Sequence, residues 1–561
     1  MKLKNITTKF SAAAMTAALA LGSVCCTDLD ETLYSEIPGD GSYEMSPEEV
    51  QSMYGKIYDR VRDMYNGWES YQDISDETGD VLMTPFRYET NAFGAQYCAL
   101  HKHEFYATLN HLYRPWYSCY QGINTCNQLL DEESISQNEQ IKAELRTYRA
   151  LFYYVLFDIY RNIPLETTLK VPAGYMPEQA KPEDTFNFIV TELKESKPHL
   201  SKEVEFGQIN YYGACMLLAK MYLNHNAWID KNASSDMHYY ELACDEVNEV
   251  INDRKYSLAA NYTEPFGNDT FSNEVILAIM YDYTYAGSGT NIFSKWYPAG
   301  TSAIFGVTRE GWNGSCAIPQ FMETYDPADT RKTDTWRWGP QTDTKGNPLY
   351  VNGELCDFTI DCYSIDRPGC STYQGARMNK FEMVAGKINC ANNDVPFFRL
   401  ADAMFIKAEC LLRLGGYKGE DEQVAADLVT EVRQRAFKNN PEKAVRTVAQ
   451  LKGGSVYDYG RRDIEGDIDA NGDLVNIVNN ETHEGGADII LGGLLDDLAW
   501  EFVYEHHRRQ DLIRFEMTNG NNVYNGKSWF SKKAVGTRKC DLMPIFQDNL
   551  QANPNLKQNP Y

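Results

Sequence analysis

Three pairs of amphipathic segments, set far apart along the chain, constrain its fold more than any other feature. Around 143–161, Leu145, Tyr148, Phe152, Val155 and Ile159 recur at three- and four-residue spacing, which places them on one face of a helix. Pro164 stops that helix, because it has no N–H to donate and disfavours helical backbone at Ile163. Residues 107–131 predict a preceding helix with Trp116, Tyr120, Ile123 and Leu130 on its inner side. The arrangement recurs twice. Residues 211–226 (Ala214, Leu217, Met221) pair with 239–252 (Tyr240, Ala243, Val247, Val250). Residues 398–414 (Met404, Ala408, Leu411), closed by Gly415-Gly416, pair with 422–437 (Val424, Leu428, Val432).

Each pair has about the length of a tetratricopeptide-type hairpin. Alanines at the crossings let the helices approach closely. Such hairpins cannot bury their apolar faces alone and must stack on one another. The pairs lie so far apart that long insertions must interrupt the stack. The largest, 260–390, is rich in Gly, Asn, Thr, Trp and Tyr and lacks helical periodicity. Irregular loops on a rigid scaffold are where binding surfaces are commonly built. The expected fold class is therefore mainly α, with helical hairpins as scaffold and large irregular loop insertions.

Charge narrows the partners. Lys and Arg number 53 against 79 Asp and Glu, a formal net charge of -26, and no basic cluster interrupts it. That disfavours nucleic acid. No apolar run reaches the roughly 18 residues needed to span a bilayer. The N-terminus has Lys2, Lys4 and Lys9 ahead of a short apolar stretch, Phe10 to Val24, which reads as a secretory signal. Cys25 and Cys26 follow directly, where a bacterial lipoprotein would receive its lipid. Cys26 is preferred because Cys25 is the smaller preceding neighbour, and a plain signal peptide is the alternative.

Other motifs are weaker. Cys356, Cys362 and Cys370 lie in a loop-like region suited to one disulfide after export, with the pairing left open. No C-x2-C pair or H-E-x-x-H string occurs, so no metal or cofactor is expected. DIDANGD at 467–473 resembles the start of a calcium loop, but the twelfth position is Val478 where such a loop needs Glu, so an acidic turn is favoured. Glu501, Glu505, Arg508, Arg509, Asp511 and Arg514 fall at helical spacing and read as an ion-pair network tying the last helix to the scaffold.

A set of ordered motifs then stands out: CTDLDE at 26–31, PWYSCYQGINTCNQLL at 115–130, ELRTYRALFYYVLFDIYRNIPL at 144–165 and YGACMLLAKMYL at 212–223. FFRLADAMFIKAECLLRLGG at 397–416, WEFVYEHHRRQDLIRF at 500–515 and the C-terminal MPIFQDNLQANPNLKQNPY complete it. In order and spacing they resemble the SusD/RagB lipoproteins of the Bacteroidetes outer membrane, over nearly the whole chain. Asp497 and Phe546 depart from the family's usual residues. The resemblance implies a SusD-like fold with a signal peptide at 1–25 and a glycan-binding body at 26–561. The body would have an N-terminal part to about 230 and a C-terminal part from about 270. It implies a non-catalytic surface lipoprotein, lipidated at Cys26 and facing the exterior. Such a protein captures a glycan for a SusC-type TonB-dependent transporter.

Binding of that kind needs flat rings to stack on sugar faces and polar groups to meet hydroxyls. Two loops carry such residues. The first, 73–97, offers Asp80, Arg87, Tyr88, Asn91, Phe93 and Tyr97. The second, 281–312, offers Tyr283, Tyr285, Trp296, Tyr297 and Trp312, with Trp336 and Trp338 beyond it. Two other readings stay open on sequence alone. A surface glycoside hydrolase would need two carboxylates facing each other across a cleft. A helical-repeat scaffold would bind protein only.

Overall fold

The computed structural model describes residues 46–65, 68–87, 94–229, 237–284, 290–366, 371–387, 392–469, 474–531 and 538–561. The leader with Cys25 and Cys26 lies outside the described residues, as do Tyr88, Asn91, Phe93, Tyr285 and Cys370.

The helical scaffold runs through α1 (Pro47–Tyr65), α2 (Tyr71–Glu77), α3 (Gly94–Lys102), α4 (Tyr113–Leu130), α5 (Glu139–Tyr160), α6 (Pro182–Ser196), α7 (Tyr211–Trp228) and α8 (His238–Asn252). After the insertion it resumes with α10 (Leu400–Leu414), α11 (Glu422–Gln434), α12 (Gly492–Glu501) and α13 (Arg508–Arg514); α9 (Ile292–Trp296) lies inside the insertion. The three expected hairpins are α4–α5, α7–α8 and α10–α11. They form one array, because α1 packs on α4, α5 on α6, α6 on α7, and α8 on α10 across the insertion.

Local chemistry sets the helix ends. The Asn138 side chain accepts from Ile141 N–H at 3.1 Å and so caps α5, while Asn210 accepts from Tyr212 and Gly213 N–H and caps α7. Gly415 adopts the left-handed conformation that closes α10. Helices α4 and α5 touch at Gly122, where a Cβ would stand 2.3 Å from the Phe152 ring. On α11 the inner face is Ala425, Val429 and Val432; Val424 and Leu428, expected there, are half-buried, one residue out of phase.

The insertion is pinched at its base. Strand β2 (Val275–Ile279) leaves the array and β4 (Val395–Arg399) returns to it, antiparallel to β2, and runs straight into α10. Within the insertion, β3 (Cys316–Ala317) pairs with β1 (Leu82–Met83) from the N-terminal region. The acidic string at 467 falls in a two-stranded hairpin, where Asp467 accepts from Asn476 at 2.8 Å; residues 470–473 lie outside the described residues.

The expected C-terminal ion network is present, but not as one helix. The backbone breaks between α12 and α13, with Tyr504 and His506 at φ of 61° and 55°. Only Asp511–Arg514 is an intrahelical pair of the expected kind, at 2.7 Å. The other charges reach outward. Glu501 meets Arg331, Arg399 and Arg435; Glu505 meets Arg399 and Lys380; Arg509 meets Asp158 at 3.1 Å. Glu274 joins Arg399 and Arg435, so the start of β2, the end of β4 and the chain after α11 share one buried cluster. Burial pushes the Glu501 carboxyl up, but Arg435, Arg399 and Arg331 outweigh it and hold it well below the usual range.

Candidate functional site

Immediately before α2 stands Trp68, and shortly after α9 stands Trp312. Both are half-buried, and their rings meet edge to face with centroids 5.0 Å apart. Tyr97 packs under Trp68 at 5.8 Å, and the exposed Arg309 places its guanidinium 5.5 Å from the Trp312 ring centroid.

The Trp312 loop is positioned by the unfinished end of α9. The last carbonyls of a helix lack intrahelical partners. Here Trp312 N–H donates to Ser294 O at 2.6 Å, Asn313 N–H to Tyr297 O at 2.9 Å and Gly314 N–H to Lys295 O at 2.8 Å. This close approach needs Gly311, since a Cβ there would lie 1.7 Å from Tyr297 O.

A buried polar cluster binds α9 to α2. Lys295 pairs with Asp73, and with Glu77 at 3.2 Å. Tyr97 Oη donates to Asp73 at 2.5 Å, Glu69 N–H donates to Asp73 at 2.7 Å, and His111 stands 3.7 Å from it. Thr84 and Ser315 donate to Glu77 at 2.8 and 2.7 Å. Burial pushes the Asp73 carboxyl up, yet Lys295, then His111, prevail and hold it below its ordinary value. Burial drives the His111 imidazole down to about 4, so it is neutral at pH 7. The face above is polar as well: Asn110 donates to Glu69 at 3.0 Å, next to Trp68, and both side chains reach solvent. Flat rings, a cation and amide and carboxylate groups on one fixed face can stack on a sugar ring and bond its hydroxyls.

Six residues expected at the surface lie in the interior. Asp80 is fully buried, held by Arg508 at 2.6 and 2.8 Å and by Tyr459 Oη at 2.8 Å. Arg87 is buried and donates to Gly314 O, Ser371 O and Gln374 O, so it braces the Trp312 loop from behind. Trp296 packs against Trp336 and Tyr504, and Tyr297 donates to Met378 O at 2.7 Å; neither ring reaches solvent. Tyr97 and Trp336 are buried too. Trp338 is half-buried, with Lys332 Nζ 5.9 Å from its ring centroid. Tyr283 is 43% exposed but makes no ring contact with the Trp68–Trp312 pair. Trp68 was missed: it sits in Asn-Gly-Trp-Glu-Ser between two helices, and that short turn with a lone Trp was its only signal.

Asp394 and Asp496 are pushed up to about 7 by burial, but each is enclosed and accepts a backbone N–H, from Tyr281 and Val456 respectively. Among the described residues no cluster of His, Cys, Asp and Glu is arranged to hold a metal. No described helix is long and apolar enough to cross a membrane.

Comparison with known proteins agrees with this architecture. Residues 29–223 match a family described as starch-binding, associating with outer membrane. The chain is 24% identical to the starch-binding protein SusD of Bacteroides thetaiotaomicron over 482 residues, 78% of this chain and 76% of that protein. It shares its fold with a laminarin binding SusD-like protein, with a TM-score of 0.63 at 20% identity over 92% of this chain and 100% of the other. A surface glycan-binding protein A from Bacteroides thetaiotaomicron, in complex with laminarihexaose, gives 0.61 at 18% identity, again over 92% and 100%. Residues 243–561, more than half of the sequence, match the family described as SusD, and the chain belongs to that family.

Proposed function

We propose that this chain is a cell-surface glycan-binding lipoprotein that captures oligosaccharide for a SusC-type TonB-dependent transporter and does not cleave it. The observation that carries the reading is the Trp68–Trp312 pair, fixed on a buried ion cluster and flanked by Arg309, Glu69 and Asn110. Support comes also from relatives described as binding starch and laminarin. Tyr88, Asn91, Phe93, Tyr283 and Tyr285 belong to the same proposal as further ligand contacts. Asp80, Arg87, Trp296 and Tyr297 support the surface from beneath. Cys26 carries the lipid tether that holds the protein on the outer face of the outer membrane.

Native electrophoresis in gels cast with starch, laminarin and other neutral polysaccharides tests it. The wild type is retarded in at least one gel, and Trp312→Ala runs freely in that gel. Unchanged mobility in every polysaccharide overturns the reading in favour of a protein-binding scaffold. New reducing ends during incubation overturn it in favour of a hydrolase. Cys26→Ala moves the protein from the membrane fraction to the soluble one.

A further inference from the structure

Cys316 and Cys362 are distant in sequence and adjacent in space. Both are buried, at 0% and 4% exposure. Cys316 opens β3, opposite Met83 of β1. Cys362 lies in the loop after Phe358. The turn at 371–376 gathers the two segments: Ala317 N–H donates to Ala376 O at 3.0 Å, Thr359 N–H to Tyr373 O at 3.1 Å, and Tyr363 N–H to Gln374 Oε1 at 3.2 Å. Gly375 closes the turn over Cys316 at φ +87°, and a Cβ there would lie 2.5 Å from Cys316 Sγ. Beneath the turn the Cys362 thiol adjoins Cys316, and it also donates to Ser364 O at 3.7 Å.

We propose that Cys316 and Cys362 are joined by a disulfide in the exported protein. The inference rests on the extracytoplasmic location in the preceding reading, because thiols in contact persist as dithiols in reducing compartments and are oxidised outside them. Loss of two electrons and two protons joins the sulfurs. The acceptor is a disulfide of a thiol–disulfide oxidase, reduced to its dithiol. The Cys316 thiolate attacks one oxidant sulfur and expels a thiolate. The Cys362 thiolate then attacks the Cys316 sulfur of the mixed disulfide and expels the second, and the two expelled thiolates take up the two protons. The exchange occurs before the 371–376 turn encloses Cys316. Once the turn has closed, burial pushes the Cys316 thiol up, but the Cys362 thiol and the guanidinium groups of Arg87 and Arg377 outweigh it and bring it to about 7. The same two arginines hold Gly314 O and Ser315 O, so the bond would pin the C-terminal end of the Trp312 loop.

The other thiols nearby are engaged differently. Cys98 donates to Ile365 O at 3.1 Å, and Cys356 is buried and lies between Cys316 and Cys362 in sequence. The full chain, recovered from the outer-membrane fraction, is denatured in iodoacetamide without reductant, digested and mapped by mass spectrometry. The expected result is a linked Cys316–Cys362 peptide pair, lighter by two hydrogens than its reduced components and absent after reductant. Cys362→Ala frees Cys316 for alkylation; if that variant does not fold, the wild-type map decides alone. Complete alkylation of both thiols overturns the proposal, as does a link from either one to Cys98, Cys356 or Cys370. The map is independent of glycan retardation: a protein that binds polysaccharide with both thiols alkylated rejects only the disulfide.

Discussion

Trp68 and Trp312 meet edge to face with ring centroids 5.0 Å apart, and the backbones that carry them are clamped together from beneath by Lys295. Trp68 precedes α2, whose Asp73 and Glu77 take the ammonium. Trp312 follows α9, whose end its own loop caps. The rings are thus placed by two elements that nothing local in the sequence joins. A fixed geometry of this kind reduces the ordering cost that otherwise weakens sugar binding.

Removing either ring should therefore cost binding and leave folding intact. Trp312→Ala and Trp68→Ala are expected to weaken glycan affinity at least tenfold, about 1.4 kcal/mol. Isothermal titration with the retarding oligosaccharide checks the affinity, and far-ultraviolet circular dichroism checks the fold. Wild-type affinity in both variants would remove these rings from the site.

Arg309 gives a smaller and different effect. Its guanidinium over the half-buried Trp312 ring contributes about 0.5–1 kcal/mol as a cation–π contact. Arg309→Ala should weaken binding about two- to fivefold. Arg309→Lys should recover part of the loss, because it restores the charge without the planar fork. The same titration separates the three proteins.

Gly311→Ala tests the loop rather than the ring. The added methyl would stand 1.7 Å from Tyr297 O, a backbone atom that cannot move without shifting the end of α9. Displacing the loop should destabilise the protein by about 1–3 kcal/mol in urea unfolding. Polysaccharide retardation should fall as it does for Trp312→Ala. An unchanged urea midpoint would mean that the loop is not seated on α9 in solution.

The scaffold was legible because helical periodicity is local: the three hairpins follow from residues such as Leu145 and Phe152 at three- and four-residue spacing. The charged residues of 500–515 were legible as an ion network, but their partners were not, since Arg331, Arg399 and Arg435 come from elsewhere in the chain. The site was harder still. Asp80, Arg87, Trp296 and Tyr297 sit in loop-like sequence, and only long-range packing decides that they point inward. Trp68 carries no periodic signal, and its pairing with Trp312 depends on the Lys295 clamp that joins α2 and α9.

Lys295→Met should be severe. It leaves Asp73 and Glu77 buried without their cation, and breaking one side of a buried pair costs about 3–5 kcal/mol. Burial already pushes Glu77 up, aided by Asp73, so the variant should take up a proton there more readily than the wild type. Equilibrium unfolding at pH 7 checks the loss. Partial rescue by adding Asp73→Asn to Lys295→Met would show that the uncompensated charge, rather than the lost packing, is responsible.

Acid should unfold the protein in a manner that His111 makes visible. The His111 imidazole is held down at about 4 by burial, against an ordinary 6.5. A base whose folded pKa is depressed is favourably neutral above 6.5, and that contribution is lost as pH falls toward 4, because the unfolded chain takes the proton first. Glu409 acts lower down. Burial raises its carboxyl, but Arg514 and Arg413 outweigh this and hold it at about 2, so its contribution is present above 4.5 and lost as pH falls toward 2. Each difference corresponds to on the order of 3 kcal/mol by linkage. Asp394 and Asp496, raised to about 7, act with the opposite sign: they favour the folded state at low pH and lose that contribution as pH rises through 7. The wild-type slope between pH 4 and 6.5 is therefore a balance of opposing groups. Subtracting the urea-midpoint profile of His111→Gln from that of the wild type removes the shared carboxylates. The difference should slope upward with pH across 4 to 6.5 and flatten above it, whereas a flat difference throughout would mean that His111 is not enclosed as a neutral ring beside Asp73.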